Sequence, residues 1–429
     1  MKVVVIGSGG REHALCWALA RSRLKPEVHC LPGNGGTHAV AHNEPIPARD
    51  FEEITTYLNR VRPALTVIGP DDPIAAGLGD LIAAAGHPVF APSAAAARIE
   101  FSKAFAKDLM VKAGVPTAGY QSFTKLAAAE SFILQHGAPV VVKASGLALG
   151  KGAVVCYSVE EAIQTARIML EDGKFGEAGS EIVVEDFLPG REVSLTAICD
   201  GTDYLLLPPS RDHKRARDGD EGPNTGGMGV VAPLPDIPDA LYEKMARKVV
   251  SPVLKALADL GTPFRGFLYP GLMVLSDGSF AVLEINARLG DPEAQALLPL
   301  LKFDLLETLL AASKGELRLW MKSKGLAPRN WRKITKRGCS VAIVAASRGY
   351  PGDYQKGIVI TSLPETDESL LLFHAGTKAE AGRLLTAGGR VLACTGLGDS
   401  IDAARQKALA GVTKVKFDGA FHRIDIGLH

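Results

Sequence analysis

Three short apolar runs near the start of the chain each end abruptly at a glycine or proline cluster, and this restricts the fold more than any other feature. Residues 2–6 (KVVVI) stop at Gly7, Val28 to Leu31 stop at Pro32-Gly33-Asn34-Gly35-Gly36, and Leu65 to Ile68 stop at Gly69-Pro70-Asp71-Asp72-Pro73. After the first run the spacing turns helical near Arg11, with Leu15 and Leu19 four residues apart. Strand, glycine turn and helix in alternation predict a parallel doubly wound α/β sheet with ligands at the carboxyl ends of its strands.

The chain has 429 residues, which at about 150 residues per domain makes about three domains. The first α/β domain is expected over 1–100. A second unit begins near Phe101, where Phe101, Phe105 and Leu109 recur at helical spacing, and runs to Ser313. Within it, strands are predicted at Val140 to Lys143, Ala153 to Cys156, Ile182 to Glu185, Val193 to Cys199, Tyr204 to Pro208, Gly271 to Leu275 and Phe280 to Asn286. Helices are predicted over Leu126 to His136, Asp239 to Asp259, and from Pro292 to about Ser313. The tract Arg211 to Pro235, rich in glycine, proline and charge, reads as a long functional loop. Residues 314–334 read as a crossing to a C-terminal α+β domain at 335–429. Its strands are expected at Ser340 to Ala345, Gly357 to Thr361, Leu370 to His374 and Arg390 to Thr395, with a helix from Ser400 to about Val415.

With 47% hydrophobic residues, 22% charged residues and a net charge of +1, the chain is neither disordered nor polyanion-seeking, so no nucleic-acid partner is expected. No apolar run approaches 18 residues, which argues against a membrane span. Cys16, Cys30, Cys156, Cys199, Cys339 and Cys394 show no Cys-x-x-Cys spacing and read as buried thiols in a reducing compartment, which points to a cytoplasmic protein.

Four stretches carry chemistry. In VLEINARLGDPE, Val282 to Glu293, strand alternation puts Glu284, Asn286 and Arg288 on one face. A carboxylate and an amide oxygen suit magnesium, which takes its remaining ligands from water and phosphate; the alternative is an ordinary strand ending in a polar turn. Lys143-Ala144-Ser145-Gly146-Leu147-Ala148-Leu149-Gly150-Lys151-Gly152 joins two strands. It differs from a P-loop because it leads into a strand and lacks Ser or Thr after the lysine. Such a hairpin either closes over a triphosphate, with Lys143 as a fixed charge, or is merely mobile. Glu185, Phe187 and Glu192 lie where a strand enters a loop, a place able to hold a nucleoside and equally able to be structural. Asp212-His213-Lys214 and Asn224-Thr225-Gly226-Gly227-Met228-Gly229 either offer polar groups and backbone freedom for a small polar ligand or form a flexible surface loop.

Other familiar chemistries are absent. Gly7-Ser8-Gly9-Gly10 fails the dinucleotide fingerprint, because its last glycine would fall at Glu12 and the second strand ends without an acid. A helix N-terminus with close backbone approach remains, either as an anion site or as a tight turn. His213 has no metal-ligand spacing around it, and no serine nucleophile motif occurs.

Taken in order, VVVIGSGGREH, PGNGGT, SKAF, KASGLALGKG, HKR with GPNTGGMG, and EINARLGDPE resemble the phosphoribosylamine–glycine ligase family of the ATP-grasp superfamily over nearly the whole chain. The resemblance implies a preceding α/β domain, an ATP-grasp core with a small lid subdomain at about 116–190, and a C-terminal α+β domain. It implies ligation of glycine to 5-phosphoribosylamine with ATP as cosubstrate, through glycyl phosphate, in purine biosynthesis. Magnesium or manganese would be the metal, and a transient contact with the preceding pathway enzyme is implied. By resemblance, Lys103 and Lys143 contact phosphates with the lid glycines Gly146, Gly150 and Gly152. Glu185, Phe187 and Glu192 meet the nucleoside, and Glu284 and Asn286 the metal. Arg288, Lys143 and Asp212 take the catalytic part. Lys214, Asn224, Thr225, Gly226, Gly227, Met228 and Asp291 surround the reacting groups, while Gly9, Gly10 and Asn34 face the phosphoribosylamine. Two departures stand out: Ser145 replaces a common Asp in the lid, and no acid occurs between Arg265 and Asp277 to serve as a second metal carboxylate. Another ATP-grasp ligase or carboxylase, or a non-catalytic nucleotide sensor, would share the lid and the Glu-x-Asn strand. The GREH, GPNTGGMG and GDPE blocks favour glycine ligation.

Overall fold

The computed structural model describes residues 1–147, 152–172 and 176–428. Its first sheet is wholly parallel, in the spatial order His42–Asn43, Glu27–Pro32, Lys2–Gly7, Leu65–Ile68, Val89–Phe90. Val3 to Ile6 are fully buried on both faces: Val4 and Ile6 join one apolar core, Val3 and Val5 another. The chain turns at Gly7 (φ +130°) into the helix Gly10–Ala20.

The next unit holds a four-stranded antiparallel sheet, ordered Tyr120–Phe123, Ile182–Asp186, Val140–Ala144, Ala153–Cys156. With the helices Leu126–His136 and Val159–Leu170 it closes a separate small core around Ile133, Val142, Ala166 and Val184. The central sheet follows, with Arg191–Ser194, Arg265–Val274, Ala197–Asp200 and Tyr204–Leu206 in order, and Phe280–Asn286 pairing with Arg265–Val274. The helix Asp239–Asp259 presents Tyr242, Met245, Ala246, Val249, Val250 and Val253 to the core at three- and four-residue spacing.

The last sheet runs Arg211–Asp212, Gly229–Ala232, Cys339–Ser347, Arg390–Gly398, Leu370–His374, and Ala420–Phe421 also pairs with Cys339–Ser347. Two of its strands therefore come from the tract expected to be a loop. The apolar segment Gly229–Ala232 is too short to stand out among the surrounding glycines and charges, yet it is fully embedded beside Ser340–Ile343.

Other expectations also need correction. The single strand Val193 to Cys199 is two strands: the opposing Pro270 has no N–H to give, and the ladder breaks between Ser194↔Gly271 and Ala197↔Leu268. The helix expected from Pro292 to Ser313 is interrupted after Leu297 by the 3₁₀ turn Leu298–Leu300. It restarts at Leu305–Ser313, where the Asp304 carboxylate accepts the Glu307 N–H. Gly357 to Thr361 forms no strand beyond a bridge from Val359 to Leu385, and a hairpin, Thr377–Glu380 with Arg383–Thr386, buried at its base and exposed at its tip, appears instead. The crossing at 314–334 contains the short helices Leu317–Ser323 and Trp331–Ile334. All six cysteines are unpaired, and among the described residues no helix is long and apolar enough to cross a membrane.

Candidate active site

A cleft of about 1430 Å³ opens where all these units meet, lined by Arg11, Asp71 and Glu100 from the first, Lys143 and Glu185 from the second, Glu284 and Arg288 from the central sheet, and Arg390 from the last. Its two ends are built differently.

At one end the lysines share buried carboxylates. Lys143, on the strand Val140–Ala144, donates to the Leu283 carbonyl at 2.9 Å and is ion-paired to Glu185. The other Glu185 oxygen lies 2.5 Å from Lys107 Nζ, and all three side chains are buried. Glu185 thus fixes two lysines, a role distinct from the nucleoside contact expected of it. Lys103 donates to the Gly146 carbonyl at 3.1 Å, and burial lowers its pKa against the pull of Glu284. Ser145 accepts the Ala104 N–H at 3.2 Å and Ser102 accepts that of Phe105 at 3.3 Å, so two hydroxyls cap the helix Lys103–Lys112. In this chain, then, the Ser145 position ties the root of the hairpin to that helix. Gly146 is set by close approach, since a Cβ there would lie 2.5 Å from the Ala178 backbone. Gly152 and Phe187 line the cleft, whereas Gly150 and Lys151 lie outside the described residues.

Lys214 stands between two acids, with Nζ 3.3 Å from Glu284 Oε1 and 3.4 Å from Glu192 Oε2. Glu192 above all raises the Lys214 pKa. Lys214, and after it Lys143 and Lys103, hold the Glu284 carboxyl at about 2 against burial, so it stays ionised. Asn286 donates to the Tyr269 carbonyl at 3.3 Å, which leaves its amide oxygen turned toward Arg288 Nη2 at 3.4 Å. Arg288 Nε lies 3.2 Å from Glu100 Oε1, while the other Glu100 oxygen accepts the Ala287 N–H at 2.7 Å. An ionised carboxylate and an amide oxygen beside three lysines suit a hard dication that arrives with a polyphosphate. Among the described residues no cluster of three or more His, Cys, Asp or Glu could hold a metal unaided.

The other end is built from backbone. Thr225 donates to the Lys214 carbonyl at 2.8 Å and accepts the Gly227 N–H at 3.0 Å. Gly227 has φ +107°, and a Cβ there would lie 2.4 Å from Asp212 Oδ1, so only glycine fits. That Asp212 oxygen is buried without a hydrogen-bond partner among the described residues; burial and then Glu293 push its carboxyl well above the usual range. Tyr269 donates to Glu293 at 2.5 Å beside it. Asp291 accepts from Gln295 at 2.8 Å, and Arg390 and Arg11 overcome burial to keep its pKa low. Asn224, Thr225 and Gly226 line the cleft, whereas Met228 is fully buried away from it.

Gly9, Gly10 and Asn34 lie beyond the lining. The Gly9 N–H donates to Glu12 at 2.6 Å, and a Cβ on Gly10 would lie 2.2 Å from Gln295 Nε2. The Asn34 amide donates to the carbonyls of Ser8 (2.9 Å) and His374 (2.8 Å), and its oxygen accepts from Gly36 (2.9 Å). These three residues fix the turns that meet the last sheet.

Family models match the chain in order: the N domain of phosphoribosylglycinamide synthetase over residues 1–100, its ATP-grasp (A) domain over 101–294 and its C domain over 340–429. The phosphoribosylamine–glycine ligase of Ralstonia nicotianae is 44% identical over 427 residues, covering 100% of this chain and 99% of that protein. That of a Nostoc species is 45% identical over 431 residues, covering 100% of this chain and 99% of that one. The chain belongs to the phosphoribosylglycinamide synthetase family. Among solved structures of the family, the phosphoribosylamine–glycine ligase of Thermotoga maritima superposes with a TM-score of 0.84 at 35% identity, covering 99% of this chain and all of that one. The biotin carboxylase domain of Hydrogenobacter thermophilus 2-oxoglutarate carboxylase, at 16% identity and a TM-score of 0.75, covers 98% of this chain and 91% of that one, and shares the fold alone.

In this family member sequence reasoning missed Lys107, Glu100, Tyr269, Glu293, Tyr350 and Arg390. Lys107 had a signal: it follows Lys103 by one helical turn and so shares its face. Glu293 stood in the quoted GDPE block. For Glu100, Tyr350 and Arg390 nothing local exists, because the partners that hold them lie 99 or more residues away.

Proposed function

We propose that this chain joins glycine to 5-phosphoribosylamine at the expense of ATP, giving glycinamide ribonucleotide, ADP and phosphate, as a cytoplasmic enzyme of purine biosynthesis. The observation that supports this most is the full-length likeness to proteins named for that reaction, at 44–45% identity. The divided cleft agrees with it. The same full-length likeness leaves a different ATP-grasp ligase or carboxylase, and a non-catalytic sensor, without support.

Glycine's carboxylate is a poor acyl donor, so one of its oxygens attacks the γ-phosphorus and the bond to the β–γ bridging oxygen breaks, releasing ADP. The amine of phosphoribosylamine then attacks the carbonyl of glycyl phosphate; the C–O bond breaks, phosphate departs and the nitrogen loses a proton. Both steps place negative charge on phosphoryl oxygens, and positioning with electrostatic neutralisation is the main device. Lys143 and Lys103 face the phosphates, the former held by Glu185, and Phe187 and Glu192 lie at the nucleoside side. Arg288, oriented by Glu100, neutralises the transferring group. Asp212, Lys214, Asp291 and the Asn224 to Gly229 loop receive the glycine and the amine. Glu284 and Asn286 would hold magnesium or manganese, which supplies charge neutralisation to the polyphosphate when bound. Closure of the lid subdomain would keep water from the acyl phosphate.

The test is phosphate release from ATP with glycine and freshly made phosphoribosylamine, omitting each in turn. Release that does not depend on glycine rejects the assignment.

A further inference from the structure

We propose that Arg390, with Tyr350, is a positioning residue for the acceptor end of the cleft: the last sheet holds the Asn224 to Gly229 loop and the Asp291 turn in one fixed relation. This rests on the functional reading above.

Arg390 opens the strand Arg390–Gly398 and reaches back across the molecule. Its Nη1 donates to the carbonyls of Gly226 and Asp291, both at 2.5 Å, and lies 3.4 Å from that of Gly227. Its Nη2 lies 3.5 Å from Asp291 Oδ1. One planar cation thus bridges the Gly226–Gly227 segment and the turn at Asp291, and Asp291 and the neighbouring strand residue Asp212 both line the cleft. Tyr350, near the end of the neighbouring strand Cys339–Ser347, accepts the Gly226 N–H at 3.0 Å.

The loop is crowded on both sides. At Gly226 a Cβ would lie 3.1 Å from the Arg390 guanidinium carbon, and at Gly227 a Cβ would lie 2.4 Å from Asp212 Oδ1. The loop backbone is therefore pressed between the guanidinium on one side and the Asp212 carboxylate on the other. Asp291, Asp212 and Glu293 all add to the field that keeps Arg390 charged. A lysine ammonium has one nitrogen on a flexible stem, and cannot put one donor on the two carbonyls while a second stays beside the Asp291 carboxylate. Losing the bridge frees two loops to drift relative to the phosphate end, and displacements near 1 Å at a reacting group cost on the order of a hundredfold in rate.

The experiment measures glycine KM, kcat and the Kd of a non-hydrolysable ATP analogue for the parent, Arg390→Met, Arg390→Lys and Tyr350→Phe. The parent comes first: without glycine-dependent turnover the functional reading fails, and this inference falls with it. With an active parent, Arg390→Met raises glycine KM or lowers kcat by about tenfold or more while analogue Kd stays within about twofold, and Arg390→Lys does not restore it. Parent-like kinetics in Arg390→Met, or glycine KM and analogue Kd worsening together, overturns the proposal. Should Arg390→Met fail to fold, Tyr350→Phe decides. It raises glycine KM a few-fold with unchanged analogue Kd if the clamp acts as described, and an unchanged glycine KM overturns it.

Discussion

The two ends of the cleft are held by different kinds of bond. At the nucleotide end, side chains mainly hold side chains: Glu185 grips Lys107 and Lys143, and Lys214, at the border between the two ends, joins Glu192 to Glu284. At the acceptor end the backbone is held, through Arg390 on three carbonyls and Gly227 against Asp212. The difference follows the ligands. A polyphosphate needs several fixed positive charges, which repel one another unless a buried carboxylate is shared between them. The reacting groups of glycine and phosphoribosylamine are small, and placing them needs walls of main chain held at close range.

Four substitutions would break or sharpen this contrast. The largest effect is expected from Glu185→Leu, which leaves Lys107 and Lys143 buried without a counter-charge. Loss of one partner of a buried pair costs about 3–5 kcal/mol, read by urea unfolding. A change below about 1 kcal/mol would mean that the two lysines find other partners easily. Next, Glu284→Ala lowers turnover by more than about a hundredfold at limiting magnesium, as loss of a main charge-stabilising group does. Near-parent activity there would show that the amide of Asn286 and the phosphates suffice. Third, Gly227→Ala forces a side chain into a positive-φ position against Asp212, a strain of about 1–3 kcal/mol. Glycine KM should rise while affinity for an ATP analogue holds, and equal losses of both would erase the distinction between the ends.

The smallest effect concerns acid. His13, whose Nδ1 accepts the His374 N–H at 2.9 Å, joins the first helix to the last sheet. Burial, and then His374, lower its pKa from 6.5 to about 3; burial likewise brings His374 to about 4. The folded chain refuses protons that the unfolded chain accepts below pH 6.5, so stability declines as pH falls from there toward 3 to 4. Glu284, at about 2, remains ionised through that window. Mild acid should therefore loosen the junction behind the acceptor end before it discharges the nucleotide end. In His13→Asn the decline of melting temperature between pH 6.5 and 4.5 should flatten, and an unchanged slope would remove histidine from the account.

Legibility in the sequence divides along the same line. The parallel sheet, the helix Asp239–Asp259 and the strand Phe280–Asn286 were readable because their apolar spacing is local. That Glu284, Asn286 and Arg288 share a face and that Lys143 opens a glycine hairpin was readable from local spacing, and all four line the cleft. Glu185 was noticed for its place at a strand end, but its grip on Lys107 is a tertiary fact. Gly9, Gly10 and Asn34 were noticed for their turns: the Gly9 N–H donates to the Glu12 carboxylate, Gly10 packs close to the Gln295 side chain, and the Asn34 amide donates to the carbonyls of Ser8 and His374. Arg390 carries no local signal at all, since its partners arrive from segments 99 and 164 residues away.

The strand Gly229–Ala232 has a further consequence for anyone who cuts this chain. It comes from the middle of the sequence, yet it supplies the neighbour of Cys339–Ser347 in the last sheet. A fragment beginning near residue 335 would leave Ser340 to Ile343 with a bare row of donors and acceptors, an open template for another chain. Such a fragment should self-associate, and adding a peptide spanning Gly229–Ala232 should return it to a monomer. The three sequence-defined domains are thus separable on paper, while the last one is completed only by two strands borrowed from its predecessor.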